Sequence, residues 1–125
     1  MNRPGGVSGP FAMIIGAFLL VEGIWGLFSP VVFGVLTTNV VHAVIHIVLG
    51  IVGLWTGLTG GSRRFCMFLG ILLIAVGVLR FVPVVGDLLV SILNVNPAVA
   101  YFNIVVGIVA VLVARASGDS RLTPS

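Results

Sequence analysis

The sequence predicts an all-α integral membrane protein: a four-helix bundle built from two tandem helical hairpins related by a pseudo-two-fold axis along the membrane normal. Three observations predict it. The 125 residues are 59% hydrophobic and 7% charged, with a mean hydropathy of +1.31, more apolar surface than a soluble domain of this size hides in one core. Four apolar stretches, about residues 11–28, 40–58, 65–82 and 98–114, each cover most of a ~30 Å hydrocarbon layer at ~1.5 Å per residue. Blocks of the first half also recur in the second at nearly constant offsets.

The first span follows Arg3 in the manner of a secretory signal. It carries Glu22, however, and ends in Phe28-Ser29-Pro30 without a small-x-small cleavage site, so it is expected to stay in the mature protein. A polar stretch with Ser29, Pro30 and Thr37-Thr38-Asn39 leads to the second span, and a turn over Gly60-Gly61-Ser62-Arg63-Arg64 leads to the third. A longer segment, 83–97, bounded by Pro83 and Pro97, precedes the fourth span. Each connection holds the Gly, Pro, Asn or Ser that ends a helix. Residues 115–125 form a polar tail, expected to be cytoplasmic, and the whole chain, 1–125, is expected to be one membrane domain.

Arg3, Arg63, Arg64, Arg115 and Arg121 fall on the side shared by both termini and the central turn, leaving Arg80 and Asp87 opposite. Positively charged loops stay inside, so both termini are expected in the cytoplasm, with the chain in the bacterial inner (cytoplasmic) membrane. Six bases, all Arg, against three acids give a charge of +3 that reflects scarce carboxylates, so nucleic acid is not expected as a partner. Lysine-free, Gly- and Val-rich usage hints at a GC-rich bacterial genome. The single Cys66 allows no internal disulfide and no Cys-pair metal or redox motif.

The repeat matches Phe28-Ser-Pro30-Val31-Val32 to Phe81-Val-Pro83-Val84-Val85 at an offset of 53, and Gly16 and Gly23 to Gly70 and Gly77 at 54. After a short insertion, Asn39, His46 and Gly50 match Asn96, Asn103 and Gly107 at 57. A two-span unit returns the chain to its starting side, so the copies share orientation. Asn39, His42, His46, Gly50, Gly53 and Gly57 lie within an arc of about 80° on the second helix. Asn96, Ala100, Asn103, Gly107, Ala110 and Ala114 do the same on the fourth. Apolar side chains gain little by leaving lipid tails, so small residues that permit close backbone approach and polar residues that bond between helices are expected to face inward.

Glu22 is the only acid within a span and lies about seven residues, ~10 Å, below the end of the first helix. His46, six residues into the second helix, lies at nearly the same depth. An ionisable group in lipid costs ~2.5–3.5 kcal/mol, so Glu22 is expected to pair with His46 or Arg80, in an intramembrane polar cluster with His42 and Asn103. His42-x-x-x-His46 puts two imidazoles on one face, and Glu22 is the third candidate metal ligand; no further acid at that depth and no HExxH pattern accompany them, so no metal site is assigned. Two His one turn apart on one helix cannot ligate opposite faces of one haem, and no cofactor is assigned. No nucleophilic triad and no phosphate-binding loop can be drawn, so no catalytic residue is assigned and an enzyme is not expected.

The segment Asn39-Val-Val-His42-Ala-Val-Ile-His46-Ile-Val-Leu-Gly50, an N-x-x-H-x-x-x-H-x-x-x-G pattern after a Gly-rich first helix, resembles a family of small four-span bacterial membrane proteins defined only as a domain of unknown function. The resemblance covers about residues 11–114 and implies the same hairpin repeat, often with His where this chain has Asn103. The functional expectation is a non-enzymatic accessory or assembly subunit that packs in lipid against a larger complex, a transporter or respiratory assembly. The alternatives are a small oligomeric transporter or channel using Glu22, His46 and Arg80, with a homo-oligomer possible, or a metal- or haem-binding redox subunit.

Overall fold

A computed structural model describes residues 7–120, with side chains to residue 116, so Arg3 and Arg121 lie outside the described residues. Four helices are long and apolar enough to cross a membrane: α1 (Ser8–Phe28), α2 (Val40–Thr59), α3 (Ser62–Leu79) and α5 (Pro97–Ser120). Between α1 and α2 lies a small antiparallel hairpin, β1 (Val31–Val32) with β2 (Leu36–Thr37), and between α3 and α5 a short helix, α4 (Val85–Leu93). Neither was expected from the sequence, which reads both segments as loops.

The helix ends follow local chemistry. Pro30 disfavours a helical Ser29, which turns extended at φ −145°. Asn39 caps α2, its Oδ1 accepting from the His42 backbone N–H at 2.9 Å. Asn96 does the same for α5, accepting from Val99 N at 2.8 Å just before Pro97. The turn between α2 and α3 shrinks to Gly60 and Gly61, at φ 121° and 86°; Ser62, Arg63 and Arg64, expected in that turn, form the first turn of α3. At its other end α3 stops at Leu79 rather than 82, because Phe81 and Val82 donate into tighter turns and Pro83 follows. The fourth helix, in turn, runs past 114 to Ser120.

In the hairpin, Phe33 and Gly34 both take positive φ, 55° and 75°. A left-handed non-glycine residue costs about 1–2 kcal/mol. The Phe33 ring stacks on Phe18 with centroids 5.6 Å apart and meets Trp25 edge-on at 4.9 Å, contacts of about 0.5–1.5 kcal/mol each that offset the strain. The hairpin is thereby pinned over the end of α1.

Side-chain contacts repeat along the chain as the sequence offsets require. α1 and α3 meet through Ala12, Ile15 and Leu19 against Cys66, Leu69 and Leu73, three pairs at an offset of 54, joined by Phe65 and Ala114. Within each hairpin the helices touch backbone to backbone. A methyl group added at Gly50 would lie 2.6 Å from Gly16 O, and one at Gly107 would lie 2.7 Å from Gly70 O. Gly23 sits on Ala43 and Ile47 as Gly77 sits on Ala100 and Ile104; Gly53 and Gly57 lie against α1 around Ala12 and Gly9. The buried faces of α2 and α5 include His42, His46, Gly50, Gly53 and Gly57, and Ala100, Asn103, Gly107, Ala110 and Ala114, the inward arcs expected from the sequence. Outside, Val44, Val48, Ile51, Ile71, Val105 and Leu112 are exposed, which is how a lipid-facing helix surface is composed.

The ends of the two hairpins are cross-fastened. Asn39 Nδ2 donates to Ile92 O and Asn96 Nδ2 donates to Val35 O, both at 2.8 Å, so donors and acceptors are each separated by the same 57 residues. Thr37 Oγ1 donates to Asn94 O, and Asn94 Nδ2 returns a bond to Thr38 O at 2.8 Å. These paired exchanges are those of a pseudo-two-fold relation between the halves. The offset rises from 53 to 57 across residues 31–36 and 84–93, so the second copy carries four extra residues, about one helical turn. They are accommodated by α4 where the first copy has its hairpin.

Because the Gly50 and Gly107 contacts are with backbone, which cannot move aside, Gly50→Ala and Gly107→Ala are each expected to destabilise the bundle by about 1–3 kcal/mol. Gly60→Ala meets no neighbour within 4 Å and loses only its favourable backbone conformation, while exposed Val48→Leu is expected to be neutral. Thermal unfolding in detergent measures all four.

Candidate functional site

Close packing of α1 on α2 fixes which polar residues meet. With Gly23 seated on Ala43 and Ile47, the neighbouring Glu22 comes beside His46, and its Oε1 lies 3.3 Å from His46 Nδ1. Both side chains are about nine-tenths buried or more. The approach has the distance of an ion pair but not the alignment of a hydrogen bond, so Oε1 has no hydrogen-bond partner among the described residues.

His42, one turn earlier, meets His46 edge to face with ring centroids 4.4 Å apart. Its Nδ1 lies 3.0 Å from Leu93 O. A carbonyl only accepts, so Nδ1 carries the hydrogen and the neutral ring presents Nε2 as an acceptor. Through this bond the second helix of the first half holds the end of α4 in the other half.

Glu22, His42, His46 and Asn103 line one small cavity, closed on the hairpin side by Val32, Leu36, Thr37 and Thr38 and on α5 by Val99 and Phe102. Its volume is about 10 Å³. His46 and Asn103 are equivalent in the repeat, as are His42 and Val99. A cavity lined by both members of two equivalent pairs sits on the pseudo-two-fold axis. Glu22 has Val76 as its counterpart, so the acid belongs to one half only.

Four of the five expected cluster residues therefore come together, and Arg80 does not join them. At the position equivalent to Gly26, which packs on Thr38, Arg80 reaches the counterpart of Thr38 within its own half, donating from Nε to Val95 O at 2.6 Å. It closes the end of the bundle instead of compensating Glu22. Asn39 and Asn96, expected on the packing faces, act chiefly as helix caps and cross-links; the preference of Asn for the residue before a helix was the available signal.

At the other end Arg63 Nε donates to Ala114 O at 3.2 Å, and Cys66 Sγ lies 3.8 Å from Ser8 O, buried and away from both histidines. Among the described residues no three His, Cys, Asp or Glu side chains are grouped to hold a metal ion. A second, open groove of about 570 Å³ runs past Phe28, Ser29, Asn39, Ser91 and Asn94. No titratable side chain lines it.

Four membrane-length apolar helices around a small cavity with buried polar residues define a small polytopic membrane protein. Residues 10–116 match the model of a family described as a domain of unknown function, DUF4383, and the chain belongs to that family. No curated protein and no solved structure matches it.

Glu22→Ala would leave His46 facing an enlarged void and is expected to cost about 1–3 kcal/mol of stability. Glu22→Gln keeps shape and hydrogen-bonding capacity and is expected to cost less than half as much. Chemical or thermal unfolding of both variants in one detergent measures the difference.

Proposed function

We propose that this protein is a non-enzymatic accessory or assembly subunit of the bacterial inner membrane, packing laterally against the helices of a larger complex such as a transporter or respiratory assembly. The observation that supports this most is where the polarity goes. Thr37, Asn39, His42, Arg63, Asn94 and Asn96 all use side-chain hydrogen bonds to fasten one helix or one half to another, and the axial cavity, at about 10 Å³, is too small for a substrate. What remains outward is a broad surface of Val, Ile and Leu on short spans with short loops, suited to helix packing in lipid. Both termini and the Gly60-Gly61 turn face the cytoplasm in this proposal, since five of the six Arg lie at that end.

Purification from native membranes in mild detergent, followed by mass spectrometry, tests the role. A stoichiometric larger membrane protein is expected; a homo-oligomer alone would instead favour a small transporter or channel, which would have to work through Glu22 and His46 without Arg80. For orientation, single cysteines at positions 60 and 83 in a Cys66→Ser background are expected to label from the cytoplasmic and the outer side respectively, and the reverse pattern would invert the bundle.

A further inference from the structure

We propose that the cavity on the pseudo-two-fold axis is a binding site for a single water molecule, which joins Glu22 of the first half to Asn103 of the second. Size points to this ligand: the cavity is about 10 Å³, and one water needs about 10–15 Å³. A buried water also needs two to four polar partners, and the lining supplies them. Glu22 is 5% exposed, with Oε1 lacking any hydrogen bond. Asn103 is 4% exposed, and its amide makes no hydrogen bond among the described residues.

Most other polar atoms around the cavity are already engaged, with His42 Nε2 left as a further acceptor. The Thr37 hydroxyl donates to Asn94 O and accepts from Asn96 N, and His42 Nδ1 is bonded to Leu93 O. Glu22 Oε1, which lies 3.3 Å from His46 Nδ1 without a hydrogen bond, and the unbonded Asn103 amide belong to residues that line this same small cavity. A divalent cation is a poor match, because calcium takes six to eight oxygen ligands and magnesium a full octahedron, whereas this lining offers one carboxyl group. The ligand also answers the asymmetry of the repeat: His46 and Asn103 line the cavity from equivalent positions, and one water suits two unlike side chains that share no hydrogen bond among the described residues.

The direct test is a crystal structure of the full chain grown in a lipidic mesophase, at a resolution that places ordered water. One peak within about 2.6–3.2 Å of both Glu22 Oε1 and the Asn103 amide is expected; a cavity without density, or collapsed, overturns the proposal. Thermal unfolding gives an independent readout. Asn103→Leu fills the cavity and is expected to lower Tm by several degrees in the native background, since Oε1 then has no partner. In a Glu22→Leu background the same substitution is expected to be neutral or stabilising, and equal losses in the two backgrounds overturn the bridge. Tm is expected to be the same in sodium chloride and choline chloride at equal ionic strength. A rise specific to sodium would place a cation there instead of water.

Discussion

Contact of backbone with backbone at Gly16 on Gly50, and again at Gly70 on Gly107, governs the rest of this structure. Lipid offers no hydrophobic reward for bringing helices together, so association depends on how closely their main chains approach and on what polar groups then bond across. The approach sets the register of each pair, and the register sets depth. Once Gly23 rests on Ala43 and Ile47, Glu22 has nowhere to go but beside His46. The same geometry in the second half brings Gly77 onto Ala100 and Ile104, but there the adjacent residue is Val76. One scaffold is therefore used twice and carries an acid once.

The two halves meet in two chemically different zones. Towards the α2–α3 turn, α1 and α3 interlock through the apolar pairs around Ile15 and Leu69, with Arg63 bonded to Ala114 O at the margin. Towards the hairpin and α4 the contact is made of amides, hydroxyls and carbonyls from Asn39, Asn94, Asn96 and Thr37, backed by an apolar cluster of Val32, Leu36, Val95, Val99 and Ala100. Directional bonds therefore dominate one end of the contact between the halves and close apolar packing the other.

The four spans, their inward faces and the tandem hairpins were legible in the sequence because small and polar residues in a membrane helix have few reasons to occur except at a contact. The depth match of Glu22 and His46 was legible for the same reason. Arg80 was misleading: counting along the third helix places it near the polar cluster, but its equivalence to Gly26 aims it at Val95. The hairpin was hidden because its strands are two residues long and its turn depends on a left-handed Phe33, a conformation no propensity suggests. α4 was hidden because Pro83 and Pro97 frame it as a loop, although the four-residue surplus of the second copy was a countable hint. A further block of the repeat, Phe11-x-Met13-x-x-Gly16-x-x-Leu19 against Phe65-x-Met67-x-x-Gly70-x-x-Leu73, was also readable; its Phe65, Leu19 and Leu73 enter the α1–α3 seam, while Gly16 and Gly70 face α2 and α5.

Each hairpin takes part of its end closure from the other. The amide of Asn39 finds its acceptor at Ile92, and that of Asn96 finds its acceptor at Val35, so each half holds the donor that the other half's connection requires. A single hairpin in a bilayer would face its membrane boundary with both an unspent amide and an unclaimed carbonyl. A parallel twin of itself would satisfy both at once, by the same two bonds. In that sense the chain has the form of a homodimer written as one polypeptide, and being one polypeptide frees its two halves to differ on their shared axis, where a symmetric pair would be forced to present the same residue twice.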